Sequence, residues 1–154
     1  MALDRHAVIE SIKAILEAHE TPRFTVVPGE PIGLPADGSP FVAFWYKGRI
    51  DPPEGAMTLG NRMNLYQFEV RCFWHRRPEL TTLENFEQEI FDADVTLRAA
   101  FWADYTLNSK AVDLDITDAV VDYGGFPLQG ITRFYRTLQF DLNVKELEGE
   151  TLAA

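Results

Sequence analysis

Four aspartates after the middle of the chain come closest, in type and spacing, to a site that could do chemistry. Asp113 and Asp115 alternate along the segment KAVDLDIT, and Asp118 and Asp122 follow at short intervals. Alternate carboxylates on one face of a strand can converge on a hard cation. However, no glycine-turned loop of the EF-hand kind is present, and each aspartate stands where a solvated strand face would place it. We therefore expect no metal site here and no cofactor.

The histidines and the single cysteine do not form a catalytic pattern. His6 and His19 lie on the first predicted helix and His75 precedes two arginines, so no pair has the spacing of a zinc-binding H-E-x-x-H motif. Cys72 lies among apolar residues, which favours a core thiol over a nucleophile. No G-x-S-x-G, Walker or G-x-G-x-x-G motif can be found. We expect the protein not to be an enzyme and to have no catalytic residues.

The charge of the chain is strongly and unevenly acidic. The formal net charge is −10, and residues 79–122 contain eleven acidic residues against only Arg98 and Lys110. This balance argues against a protein that grips nucleic acid phosphates, which needs clustered lysine and arginine. The acidic segment is either a solvated surface or a field that repels a polyanion or attracts a basic partner.

Hydrophobic periodicity predicts an α+β fold. We expect one domain over residues 1–154, with a mostly antiparallel sheet of about five strands packed against two helices, in the order helix, strands, helix, two strands. The predicted helices cover 3–20 and 81–103, and the predicted strands cover 23–27, 41–46, 63–75, 110–117 and 131–146. Proline and glycine predict long loops near 28–40 and 47–62, and residues 147–154 are expected to form a short tail. Gly124 and Gly125 are expected to turn the chain into the final strand.

The final predicted strand is longer than the usual 5 to 6 residues. Its alternation places apolar residues such as Leu138 and Phe140 on one face and polar ones such as Thr137 and Gln139 on the other. Arg136 interrupts the apolar face. We expect this strand to leave its own core partway and to finish its packing on a neighbouring subunit.

The second predicted helix has more apolar surface than one sheet covers easily. Its main stripe includes Ile90 and Leu97, while Phe91, Val95 and Trp102 lie roughly 120° away, at about 100° per residue. Either a curled sheet or the first helix buries this second group, or a neighbouring subunit does.

This order of elements, with an acidic chain of this length, a long early loop and a long closing strand, resembles the tail terminator proteins of long-tailed (siphovirus-like) phages and related gene transfer particles. The resemblance implies a homohexameric ring in the tail-neck region of the virion, assembled in the host cytoplasm. Such a ring caps the tail tube, ends its polymerisation and joins it to the head. The implied partners are further copies of the chain, the tail tube protein and a head-tail connector protein. DNA would pass through the lumen without specific binding, and no membrane is involved.

Candidate interface residues follow from the second loop, the extra helical group and the closing strand. They are Arg49, Asp51, Arg62, Phe91, Val95, Trp102, Arg133 and Tyr135. Two alternatives stay open. One is a head-tail joining protein or another neck or tail tube subunit. The other is a small-ligand-binding or enzymatic α+β domain, with a pocket lined by Phe44, Trp45, Tyr46, Phe73 and Trp74.

Overall fold

Two helices and six strands build the part of the chain that the structure, a computed structural model, describes. That part comprises residues 5–29, 40–50, 61–75, 83–107, 111, 113–128 and 131–149. The helices are α1 (Arg5–Glu17) and α2 (Leu83–Ala103). The strands are β1 (Thr25–Pro28), β2 (Phe41–Ile50), β3 (Asn61–His75), β4 (Asp113–Ile116), β5 (Val120–Leu128) and β6 (Ile131–Gly149).

The strands form one sheet in the order β1-β2-β3-β6-β4, and β5 also pairs with β6. β1 runs parallel to β2, and the other pairings are antiparallel. The predicted α+β class with a mostly antiparallel sheet and two helices is therefore confirmed.

The longest pairing joins β3 to β6. It runs from Asn61 opposite Gly149 to His75 opposite Tyr135, fifteen residue pairs in unbroken register. Because side chains alternate across a strand, this register fixes which residues of both strands share a face. Val70 and Phe140 face the helices, for example, while Glu69 and Asp141 face away from them.

The main core lies between the sheet and the two helices. The helices contribute Val8, Ile12, Leu16, Ile90, Ala93, Leu97 and Phe101, and the central strands contribute Val42, Phe44, Val70, Cys72, Leu138, Phe140 and Leu142. The predicted helical stripes are confirmed at these positions. Cys72 is fully buried, and burial raises the pKa of its thiol above the ordinary range, as suits an inert core residue.

β2 is longer than predicted because a bulge lets the strand continue where the sequence suggests a loop. The register shifts between Tyr46 and Gly48, which adopts a φ of 128°, a conformation that favours glycine. Beyond the bulge, Arg49 and Ile50 again pair with β3. The predicted loop over 47–62 is thus wrong for residues 47–50 and 61–62, and its remainder lies outside the described residues, as do residues 30–39 of the first loop.

The turn predicted at Gly124 and Gly125 is also wrong. Both glycines lie inside β5, opposite Tyr135 and Phe134 of β6, and the hairpin closes where Leu128 faces Ile131. β5 pairs only with β6 among the described strands, and an edge position tolerates glycine in a strand. β6 also continues through residues 147–149, which were expected to be tail; residues 150–154 lie outside the described part.

Neither described helix is long and apolar enough to cross a membrane.

Two neighbouring residues of α2 provide a test of this packing. Leu97 is fully buried, whereas Val95 lies on the exposed face. We expect Leu97→Ala to lower the free energy of unfolding by about 2–5 kcal/mol, because it leaves a cavity in the core. Val95→Ala is the matched control and should change it by less than about 0.5 kcal/mol. Urea denaturation followed by circular dichroism measures both, and equal losses would contradict this placement of the helix.

Candidate functional site

The outward face of α2 carries a row of large apolar side chains. Phe91, Val95 and Trp102 are 66%, 53% and 45% exposed, and their spacing of four and seven residues aligns them along the helix. Arg98 lies in the same row and donates a hydrogen bond to the carbonyl oxygen of Thr117 at 3.1 Å. Neither the sheet nor α1 covers these residues, so within one chain they face solvent. We call Phe91, Val95 and Trp102 the α2 ridge.

The ridge adjoins β5. Phe91 and Val121 line a groove of about 520 Å³ together with Asp94. The groove ends at an ion pair in which Arg136 contacts Glu87 at 2.7 Å. This pair explains the arginine that interrupts the apolar face of β6: it lies at the margin of the core, where its charge meets the acidic helix.

A second apolar surface lies between α1 and the middle of β3. It is a groove of about 340 Å³ lined by Arg5, Val8, Ile9, Tyr46, Tyr66 and Phe68, which we call the α1 groove. Ile9 and Tyr46 are 37% and 50% exposed along it. The Tyr46 ring lies 5.4 Å from that of Phe68, between ring centroids, so the wall is continuous.

A buried polar cluster supports the α1 groove. One carboxylate oxygen of Glu146 accepts hydrogen bonds from the Asn64 amide at 3.0 Å and the Tyr66 hydroxyl at 3.1 Å. Burial raises the pKa of Tyr66, and Glu146 raises it further, while a hydrogen bond with Arg5 opposes the shift. Arg49 lies opposite Tyr66 in the register and is exposed. The groove therefore has apolar walls and a basic lining residue, Arg5, while Arg49 is the exposed cross-strand partner of Tyr66.

The structure separates the predicted interface residues. Arg49 lies opposite Tyr66, a residue of the α1 groove, whereas Phe91 of the ridge lies beside Arg136, near the Trp74 end of β3. Arg62 and Arg133 belong to β3 and β6, but their side chains are outside the described part of the chain, as is Asp51 altogether.

Tyr135 is not available to a neighbouring subunit, contrary to the prediction. Its side chain is buried and packs edge-on against Phe41 and Phe73, with ring centroids 5.8 and 6.0 Å apart. These residues and Ala43 form a second apolar cluster on the sheet face away from the helices. The tyrosine ring behaves here as an apolar side chain.

The part of β6 that extends beyond its pairing with β3 has a partner strand within the chain. Residues 131–134 extend beyond the last pair with β3 and pair with β5 instead. Thr137 is buried as well as Tyr135. The expectation that this stretch finishes its packing on a neighbour is thus wrong at both residues, because the sheet face they occupy has an apolar cluster of its own.

The five aromatic residues considered for a ligand pocket do not share a face. Phe44 and Trp74 belong to the core beneath the helices and Tyr46 lies beside them, whereas Trp45 and Phe73 lie on the opposite face. They cannot line one pocket, because adjacent residues of a strand point to opposite sides of the sheet.

Lysine side chains form ion pairs with the carboxylates on that opposite face. Lys145 Nζ lies 3.5 Å from Asp113 and 3.0 Å from Asp115, and the hydrogen bond to Asp115 is the main cause of the raised pKa of Lys145. Lys47 contacts Glu69 and Asp141 in the same way. Among the described residues, no group of three or more histidine, cysteine, aspartate or glutamate side chains is placed to hold a metal ion.

Sequence reasoning missed the α1 groove. Ile9 lies at the edge of the apolar stripe of α1, next to the buried Val8, and reaches solvent. Its position one residue from Val8, about 100° around the helix, was a usable signal. Tyr66 and Glu146 gave no such signal, because only the register brings them together.

No protein-family model matches the sequence, and no curated protein matches it either.

The polar cluster makes a testable contribution to stability. We expect Tyr66→Phe to lower the free energy of unfolding at pH 7 by about 1 kcal/mol, because Glu146 loses a donor. Folding raises the pKa of Tyr66. As pH rises, the phenol therefore ionises first in the unfolded chain, where its pKa is about 10. This ionisation stabilises the unfolded chain, so the wild type loses stability as pH rises above about 10. The gap between wild type and variant should therefore shrink above pH 10.

Urea denaturation at pH 7 and at pH 10.5 measures this gap. Tyr105→Phe, which changes an exposed tyrosine after α2, is the control at pH 7 and should have an effect below about 0.5 kcal/mol. A gap that widens with pH would contradict the proposed environment of Tyr66.

Proposed function

We propose that this protein is a structural subunit that assembles into a ring and caps a phage-type tail tube, as the tail terminators of long-tailed phages and gene transfer particles do. The α2 ridge is the observation that carries this proposal. Three large apolar side chains in one row on an otherwise acidic helix leave apolar area in water, and burying the exposed half of each would contribute roughly 1 kcal/mol. Such a row is typical of a surface that another protein covers.

The surroundings of the ridge favour protein binding over chemistry. The groove beside Phe91 is shallow, and two of its charged side chains, Glu87 and Arg136, pair with each other. In the α1 groove, Glu146 is held by two hydrogen bonds and has no nucleophile or histidine among its described partners. These features support a role in protein binding.

The charge of the described surface supports a passage for DNA. Asp115, Asp118 and Asp122 are exposed on β4, on the link to β5 and on β5. Negative charge repels phosphates, so a ring with such surfaces near its lumen lets DNA pass without holding it.

Tube length in cells tests the proposal. The tail tube protein encoded with this chain is produced with and without it, and tube lengths are measured by electron microscopy. We expect tubes of limited length with the wild-type protein and overlong tubes with Phe91→Asp combined with Val95→Asp, which place charge in the interface. Thermal denaturation checks that the variant is folded.

Val120→Asp is the matched control. Val120 is also a large exposed apolar residue, but it lies opposite Gln139 on β5, away from the ridge. This variant should still limit tube length. Tube length could instead be the same without the protein, with the wild type and with each variant. If heads then fail to join finished tails, the protein is a head-tail joining protein.

A further inference from the structure

Phe91 and the α1 groove complement each other but lie too far apart to meet within one subunit. Phe91 lies beside Arg136, which is in register with Trp74. Phe68 is the β3 residue of the groove nearest to Trp74, and it precedes Trp74 by six residues, a separation of about 20 Å at 3.3 Å per residue. Any contact of Phe91 with the α1 groove therefore joins two copies.

The two surfaces match in size. An apolar cavity of about 150 Å³ accommodates benzene. The α1 groove, at about 340 Å³, has room for the phenyl ring of Phe91 and part of Val95, the next residue of the ridge. Ile9 and Tyr46 are exposed along the α1 groove, and the ridge residues are exposed on α2. The contact would therefore bury apolar surface on both copies.

The two surfaces also match in charge. Arg5 lines the α1 groove and Arg49 lies opposite Tyr66, whereas Asp92 and Asp94 flank Phe91 and Glu87 there is paired with Arg136. A symmetric contact of ridge with ridge would bring Asp92 and Asp94 of two copies together, and one of groove with groove would bring arginines together. The contact of ridge with groove instead brings these aspartates to the arginines.

We propose that Phe91 and Val95 of one copy insert into the α1 groove of the next copy, so that the chain associates head to tail. This inference rests on the proposed function, since it names the partner surface of the α2 ridge. A heterologous contact of this kind closes into a ring when its rotation permits. Arg49, predicted at an interface from sequence, then lies in the contact as a partner of the acidic flank of α2.

Cysteine crosslinking between separate copies tests the inference. Copies carrying Phe91→Cys are mixed with copies carrying Ile9→Cys under mild oxidation, and disulfide-linked dimers are counted on non-reducing gels. Both positions are exposed, and the native Cys72 is buried, so it does not compete. We expect dimers in the mixture, and at least tenfold fewer when either variant is oxidised alone. Val120→Cys mixed with Ile9→Cys is the control and should give few dimers.

A charge exchange tests the specificity of the contact. Arg49→Glu in the Ile9→Cys copy should slow crosslinking about tenfold, and Asp92→Lys in the Phe91→Cys copy should restore part of the rate. Dimers of Phe91→Cys with itself would overturn the inference in favour of a symmetric contact. Absence of mixed dimers would overturn it as well, including the case in which a tube protein or a small molecule occupies the groove.

These outcomes are distinct from those for the proposed function. Tubes of limited length without mixed dimers would leave the capping function standing and refute the head-to-tail contact. Mixed dimers without any effect on tube length would support the head-to-tail contact and refute the capping function.

Discussion

The rest of the structure depends on the antiparallel pairing of β3 with β6. Its fifteen residue pairs fix the face on which every side chain of both central strands lies, and a slip of one residue would exchange the two faces. One face receives α1 and α2 over an apolar core. The other combines a small aromatic cluster around Phe73 with ion pairs such as those of Lys47. Phe91 adjoins the Trp74 end of this pairing, and the α1 groove lies over its middle, at Tyr66 and Phe68.

The α2 ridge exists because a helix lying on one face of a sheet buries only part of its circumference. Ile90, Ala93, Leu97 and Phe101 occupy the buried part. The opposite side of such a helix is normally polar, and α2 keeps large apolar side chains there. Arg98 lies within this row and ties it to the backbone at Thr117, so the ridge is held in a fixed position relative to the sheet. A surface that is both apolar and fixed loses little conformational entropy on binding.

Periodicity predicted the fold class, both helices and the central strands, because burial on one face enforces a repeat of 3.6 or 2 residues. The prediction failed where a glycine suggested the end of a strand. Gly48 continues β2 through a bulge, and Gly124 lies inside β5, since a strand partner can hold a glycine extended. It identified the exposed row on α2, but it could not find the α1 groove or the burial of Tyr135. Both depend on which distant residues the register brings together.

We propose that the α2 ridge is an interface between copies of this chain. Electron cryo-microscopy of the protein assembled on the tail tube that we propose as its partner measures this directly, at a resolution that shows side chains. We expect Phe91 and Val95 of each copy to be buried against the α1 groove of the next. A ring in which the outer face of α2 is exposed to solvent in every copy would contradict it.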